Sequence, residues 1–479
     1  MNHTILIDRD YGMTRVAVLE DGDLVEYYVE REGRCCMVGN IYVGRVQNVL
    51  PGMQAAFVDI GTDKNAFLYL GDEDTVDGFD YAFGSGTEKP AKKKIRSGQE
   101  ILVQVVKEPE GQKGPRVTMA PTVPGHLLVL SANSTHVGVS RRIEEEEERK
   151  RLHGIAQSIC PEGMGMILRT AAAGAAKEEL ADELRVLLAE WDVIVRKAKH
   201  TTPPKRIHRE DSLLLRAVRD LFSANTHEML IADEGHYCAV KEHIELRAPE
   251  LLDRVRLYDK GIPLFASLGV ESKADKALAR KVWLKSGGYL VIDTTEAMTV
   301  IDVNSGKYTG KKDLQDTVFR VNTEAAEEVA RQLRLRDVGG IIIIDFIDME
   351  ETARQEALVD TLRQALKSDR NRTNVVGLTG LGLVEMTRRK TRACLSKAVQ
   401  RACPCCEGTG VLYAQDQIAR KALRALSQRR QSGDEQRYRL STSAEVAEAF
   451  ERLGGASGVE VHAWPEAPHA EYLLDPITE

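Results

Sequence analysis

Asp302 and Asp345 each close an apolar run, the first in TVIDVNSG and the second in GGIIIIDFIDM. Carboxylates at such positions are hard oxygen donors on rigid backbone, suited to a divalent cation such as Mg²⁺. The segment between them reads as a βαβ crossover, with a helix from about Asn322 to Arg336. A parallel crossover brings both strand ends to one edge of the sheet, so the two carboxylates are expected to meet. Asn304 falls on the same side of the strand as Asp302, because side chains alternate. It can hold an attacking water or fix a carboxylate rotamer. Asp348 can add a supporting ligand or cap the following helix. Either aspartate alone is more simply a turn residue. Their shared geometry puts metal-dependent phosphate chemistry level with that plainer reading.

Three further clusters carry chemistry. In Cys403-Pro404-Cys405-Cys406-Glu407-Gly408-Thr409-Gly410, Cys403 and Cys406 have the CxxC spacing of a zinc knuckle. Structural zinc takes four ligands, and no second CxxC or CxxH occurs in the chain. The expectation is therefore Zn²⁺ shared between two copies in a homodimer. A redox dithiol is the rival, and Cys405 is a competing thiol. Arg169-Thr170 ends the run GMGMIL and makes an open anion pocket, with Arg372 of DRNRTN as a candidate partner. Phe57 and Phe67 fall on strands and can stack on bases, and Lys113 of GQKGP can meet a phosphate. Core packing is the plainer reading for an aromatic in a small barrel.

The elements that must position these residues are visible as patterns. Residues 4–32 alternate apolar and polar, and Asp21-Gly22 separates TRVAVLE from DLVEYYVE, a hairpin signal. From Val38 to about Met119, the runs IYVGRVQNVL, AAFVDIG, NAFLYL and EILVQVVKEP fit a small OB-type barrel. Residues 71–98 form a long insertion in it, acidic and then basic, expected to be mobile. Residues 144–157 and 177–200 have helical composition, the second with an apolar stripe through Leu180, Leu184, Leu187 and Leu188. Pro203-Pro204 marks a boundary. A helix over residues 213–222 precedes a strand at 230–233. From Trp283 to Met386 the alternation of strands and helices predicts an α/β layer, followed over 416–479 by a basic helix and a short α/β tail.

A chain of 479 residues exceeds one core, and about three to five modules are expected. With 43% hydrophobic and 29% charged residues, the composition is globular. No apolar run is long enough to span a bilayer, and MNHTILIDRD lacks the basic and apolar regions of a signal peptide. A cytoplasmic protein is expected. In that reducing setting, eight cysteines with one CxxC point to a metal or redox role before a disulfide framework. The net charge of −7 does not announce a nucleic-acid binder. Local basic clusters exist at Lys92–Lys94 with Arg96, Lys205–Arg206 with Arg209, and Arg388–Lys390 with Arg392. Each alone is more simply a solvated face.

In order and over nearly the whole chain, GMGMILRTAA, SGGYLVIDTTEAMTVIDVNSG, NTEAAEEVARQLRLRDVGGIIIIDFIDM, GLVEMTRRK and CPCCEGTG resemble the ribonuclease E/G family. The resemblance implies a multidomain α/β fold. A ribonuclease H-like subdomain (1–36 and 213–280) would carry an inserted S1 domain (37–119) and a 5′-sensor region (120–212). A deoxyribonuclease I-like catalytic layer (281–400), a zinc link (401–414) and a small dimerisation domain (415–479) would follow. It further implies Asp302 and Asp345 as Mg²⁺ ligands with Asn304 as their catalytic neighbour. Arg169, Thr170 and Arg372 would contact a 5′-phosphate, and Phe57, Phe67 and Lys113 would contact RNA. Cys403 and Cys406 would be one half of a zinc link between protomers, with pairing of dimers into tetramers left open.

The implied activity is Mg-dependent endoribonuclease cleavage of single-stranded RNA, in rRNA and tRNA processing and mRNA decay. It would favour 5′-monophosphorylated ends and leave 5′-phosphate and 3′-hydroxyl products. With its end at Glu479 the chain resembles the short, ribonuclease G-like form, without a degradosome scaffold tail. The 71–98 insertion and Cys405 depart from the pattern. Two rivals share some of these residues: a non-catalytic RNA-binding protein, and a metal-dependent deoxyribonuclease or phosphodiesterase.

Overall fold

The computed structural model describes residues 2–33, 36–70, 81–82, 95–109, 113–223, 225–306, 314–390, 392, 394–406, 408–433, 436–464 and 472–477. Most of the 71–98 insertion and the Lys92–Lys94 cluster lie outside the described residues. The chain forms two compact units, residues 1–398 and 399–479.

The first unit begins with a meander of His3–Asp10, Met13–Glu20 and Asp23–Arg31. Tyr11-Gly12 and Asp21-Gly22 all have positive φ, the conformation that lets a two-residue turn follow the strand twist. Thr226–Ile231 and then Val255–Leu257 extend the sheet in parallel beyond the first strand. Strand alternation supplies two apolar faces. Ile5, Ile7, Val16 and Val18 pack against the helices Leu213–Leu221 and Glu234–Arg247. Leu6, Ala17, Leu19 and Leu24 pack on the opposite side with Phe265, Leu335 and Leu395.

The expected barrel is present and closed. Ile41–Leu50, Ala55–Asp59, Ala66–Tyr69, Arg116–Thr118 and Glu100–Lys107 follow one another, and residues 41–45 pair back onto 100–104. Val46, Ala56, Val58, Ala66, Leu68, Val103, Val105 and Val117 fill it. Beside the barrel, Thr122–Pro124, Leu128–Ala132, Met164–Leu168, Val137–Ser140 and Tyr81–Ala82 make a further sheet in that order. The helices Glu146–Ile159 and Lys177–Lys199 cover it, with Leu180, Leu184 and Leu187 buried as the stripe predicts.

The α/β layer is one sheet in the order Lys281–Trp283, Tyr289–Thr294, Met298–Asn304, Gly340–Asp345, Leu383–Arg388, Thr373–Leu378. The helices Leu314–Leu335 and Thr352–Ala365 cover only one face of it. The crossover helix thus begins at Leu314, well before the expected Asn322. Val318 and Val321 extend its buried stripe toward the N-terminus.

In the second unit, helices Gln415–Gln431 and Ala444–Arg452 pack on a three-stranded sheet centred on Tyr438–Thr442. The expected basic helix and short α/β tail are both there.

Candidate active site

Met298–Asn304 and Gly340–Asp345 run parallel, and Asp302 pairs directly with Asp345. Residues paired at one register position project to the same face of a sheet. Ile301, Val303, Ile342 and Ile344 point into the core, so both carboxylates stand on the uncovered face, exposed to solvent. Asn304 Nδ2 donates to Asp302 Oδ2 at 2.8 Å and fixes that carboxylate's rotamer. Asp345 makes no side-chain hydrogen bond or ion pair among the described residues. Asp348 is exposed, and the helix it was expected to cap takes Glu351 at its N-cap instead. Two convergent oxygens facing water fit a hard cation that keeps several waters of its own. Among the described residues no group of three or more His, Cys, Asp or Glu is placed to hold a metal.

The crossover helix holds both strand ends in place. The buried Asn322 amide donates to Ile347 O at 2.7 Å and accepts from Ile347 N at 3.1 Å, pinning the segment just after Asp345. Glu324 accepts from Ser286 N at 3.1 and 3.2 Å, which holds the turn packed against Asn304. In that turn a Cβ on Gly288 would lie 2.8 Å from Asn304 O. Gly306 has φ +61°, and a Cβ there would lie 2.3 Å from Gly287 O. Neither Asn322 nor Glu324 was singled out from sequence. Asn322 carried a usable signal, a polar residue on an otherwise apolar helical stripe.

Arg169 and Thr170 follow the Met164–Leu168 strand. Arg169 donates from Nη1 to Gly125 O at 2.6 Å and from Nη2 to Asp220 Oδ1 at 2.7 Å. Thr170 Oγ1 lies 3.1 Å from Ser140 Oγ. Arg142, two residues beyond, donates to Asp369 O, while Arg370 donates to Asp220 O and Leu221 O. These bonds bring the 369–372 loop against the segments that carry Arg169 and Thr170. Arg372 itself is exposed, and its carbonyl accepts from Arg389 N at 2.9 Å. Asp220, Ser140 and Arg142 were missed, because each joins the pocket from a remote part of the chain.

A buried charge seam backs this pocket. Burial alone would raise Asp220, yet Arg169 and Arg219 hold it well below the usual carboxylate range. Burial would likewise raise Glu26, but Arg370 and Arg334, with the Tyr28 hydroxyl donating at 2.5 Å, hold it at about 2. Arg392 stacks 3.6 Å from the Tyr28 ring centroid and donates to Asp337 at 2.6 Å. Arg388 joins Asp337 at 2.8 Å to Asp369 at 2.7 Å. Arg388 and Arg392 therefore do not form an exposed basic cluster: Arg388 is only 4% exposed, and both are committed to carboxylates.

Known proteins are similar to this chain in sequence. The profile described as Ribonuclease E/G family matches residues 122–391, a span that holds Arg169, Asp302, Asn304, Asp345 and Arg372. Ribonuclease G of Escherichia coli (strain K12) is 40% identical over 470 residues, 97% of this chain and 94% of that one. Ribonuclease G of Haemophilus influenzae is 43% identical over 419 residues, covering 86% and 84%. Ribonuclease E of E. coli K12 is 35% identical over 463 residues, 96% of this chain but 41% of that protein. The chain belongs to the ribonuclease E/G family. It is an endoribonuclease.

The barrel of this ribonuclease E/G family member carries its aromatic pair outside the core. Phe57 and Phe67 are cross-strand partners with ring centroids 6.1 Å apart, edge to face and half-buried. The same row continues through Asn48 on one side and Arg116 and Lys107 on the other. Lys113 is exposed just ahead of Arg116. Core packing is thereby excluded for both rings. Lys205 and Arg206 are exposed on a strand added to the barrel's edge.

In the second unit, Cys403 and Cys405 are exposed and Cys406 is half-buried, all as free thiols. Gly410 N donates to Cys406 Sγ at 3.3 Å, and backbone N–H groups of Cys406 and Cys405 lower the Cys403 thiol pKa. Gly408 and Gly410 both have positive φ, as a tight knuckle requires. Amides aimed at sulfur favour thiolate, the form that ligates zinc.

Proposed function

We propose that this endoribonuclease hydrolyses single-stranded RNA at the Asp302–Asp345 edge with the help of Mg²⁺. The observation that carries the proposal is the direct register pairing of two exposed carboxylates, one of them oriented by Asn304. Asp302 and Asp345 would hold the cation. When bound, Mg²⁺ supplies Lewis acidity at the scissile phosphate and makes an attacking water more acidic. Asn304 keeps Asp302 in its rotamer and leaves its own carbonyl oxygen to accept a hydrogen bond from that water. The water oxygen bonds to phosphorus and the P–O3′ bond breaks. The 3′ oxygen leaves with a proton, giving 3′-hydroxyl and 5′-phosphate ends.

Recognition is read as divided between two regions. Arg169 and Thr170, with Arg372, would take a 5′-monophosphate, supported by the bonds that tie the 369–372 loop to that pocket. Phe57, Phe67 and Lys113 would hold unpaired bases and backbone, supported by the outward aromatic and basic row. Cys403 and Cys406 would each give a thiolate to Zn²⁺ shared with a second copy, which their knuckle geometry supports. Residues 1–36 and 213–280 would form a ribonuclease H-like subdomain, 37–119 an S1 domain, 120–212 a 5′-sensor region and 281–400 a deoxyribonuclease I-like layer. A zinc link over 401–414 and a dimerisation domain over 415–479 would follow. Processing of rRNA and tRNA and decay of mRNA in the cytoplasm is the role this reading assigns. No described helix is long and apolar enough to cross a membrane.

The test is cleavage of a 5′-monophosphorylated, A/U-rich RNA oligomer in Mg²⁺, beside the matching DNA. Internal cuts in RNA alone, abolished by EDTA and by Asp302→Asn while RNA binding persists, are the expected result. Cutting that survives EDTA or Asp302→Asn overturns the assignment.

A further inference from the structure

The uncovered face of the catalytic sheet carries a second feature in register with the carboxylates. Trp283 pairs with Tyr289, and Tyr289 pairs with Asn304, so the three side chains stand in one row on one face. Lys281, Val291, Asp302 and Asp345 form the adjacent row on that face. Val282, Leu284, Leu290 and Val303 take the opposite, buried face, which leaves Trp283 64% exposed. The Trp283 and Tyr289 rings lie 5.3 Å apart, edge to face. Lys281 Nζ sits 3.4 Å from the Tyr289 centroid and 4.1 Å from that of Trp283. Neighbouring Arg280 is committed to Asp293 at 2.5 Å, but Lys281 has no carboxylate partner among the described residues.

We propose that Trp283 and Tyr289, with Lys281, form a platform on which one unpaired base of the RNA substrate stacks beside the cutting centre. The inference rests on the reading of Asp302, Asn304 and Asp345 as that centre. An indole exposed on an edge strand keeps a π-face for a base, and the ammonium held against both rings, with no carboxylate to neutralise it, can meet the backbone phosphate. Two strand spacings, roughly 10 Å, separate the backbone of Trp283 from that of Asn304. A base on the indole therefore fixes the strand a short step from the phosphate to be cut. Trp283 acts as a positioning residue: it touches the substrate and not the reacting atoms. A buried aromatic would have a packing role to explain it. Trp283 faces water, with Tyr289 half-buried beside it.

Two measurements on the full chain test the platform. In cleavage, Trp283→Ala raises KM about 5- to 150-fold, the range of one base–aromatic stack, with kcat within a few fold. Trp283→Phe restores most of the loss. An abasic nucleotide at the stacked position costs the wild type the same factor and costs Trp283→Ala nothing further. Unchanged KM in Trp283→Ala, or additive losses, overturns the proposal.

The second measurement does not depend on cutting. The chain has three tryptophans. In an Asp302→Asn, Trp464→Phe background, Trp283 and the buried Trp191 are the tryptophans left to emit. Quenching by single-stranded RNA, lost in Trp283→Phe, supports the platform even if the wild type proves unable to cut. Emission that responds to protein concentration but not to RNA overturns it in favour of self-association.

Discussion

Asp302 and Asp345 stand on an open sheet face with one amide beside them, whereas Asp337 and Asp369 lie inside the same layer, both gripped by Arg388. The two pairs are chemically alike and are used in opposite ways. A buried carboxylate must direct its lone pairs at donors, because an unpaired charge there costs several kcal/mol, on the order of a whole protein's margin. Such a group has no capacity left for a cation or a substrate. The exposed pair loses little solvation and keeps that capacity. Charge for chemistry stays at the surface, and charge for architecture goes inside.

Breaking the exposed pair should give the largest functional effect. Asp345→Asn is expected to lower kcat by roughly 10³-fold or more, the several kcal/mol that metal-assisted charge stabilisation supplies. Its melting temperature and RNA affinity should stay near those of the wild type. A large fall in melting temperature would show that Asp345 belongs with the buried set.

Breaking the buried pair should do the reverse. Arg388→Met leaves Asp369, 3% exposed, without its guanidinium partner and Asp337, 8% exposed, with Arg392 as its remaining guanidinium, and should cost about 3–5 kcal/mol in urea unfolding. Activity per folded molecule should change only a few fold. A pure loss of kcat with unaltered unfolding would contradict the contrast.

Acid should sharpen the comparison further. Glu26 is depressed from 4.5 to about 2, so its stabilisation is full above pH 4.5 and is lost as the pH falls toward 2. Asp220 is depressed in the same direction. Wild type should therefore lose stability steeply below pH 4.5, and Glu26→Gln less steeply over that window. Equal slopes would remove Glu26 from the account.

The smallest effect is expected at the pocket between the two regimes. Arg169 already gives one terminal nitrogen to Asp220 and the other to Gly125 O, so Arg169→Ala should reduce the preference for 5′-monophosphate over 5′-triphosphate RNA by about tenfold or less. Cutting of RNA without a 5′ phosphate should be unchanged. Indifference of the preference to this substitution would leave Arg169 as part of the seam alone.

Much of the catalytic layer was legible in the chain because its signals are local. The apolar runs ending in Asp302 and Asp345, with a helix between them, suffice to make the two strands parallel neighbours. The Asp21-Gly22 turn and the barrel strands were equally local. The outward direction of Phe57 and Phe67 was not, since a half-buried ring on a small barrel satisfies either face until the register is known. Arg388 and Arg392 read as a solvated basic cluster because their partners, Asp337 and Asp369, lie elsewhere in the sequence.

The sequence by itself determined which residues can do chemistry and which strand ends meet, because alternation and crossover topology act over short stretches. Only the tertiary structure decided which charges are free to use. Pairing of Arg169 with Asp220, of Glu26 with Arg334 and Arg370, and of Arg388 with two aspartates depends on segments that approach only when the sheets pack. Burial then forces each of those charges to find a partner, while the face that no described helix covers leaves Asp302, Asp345 and Trp283 to the solvent.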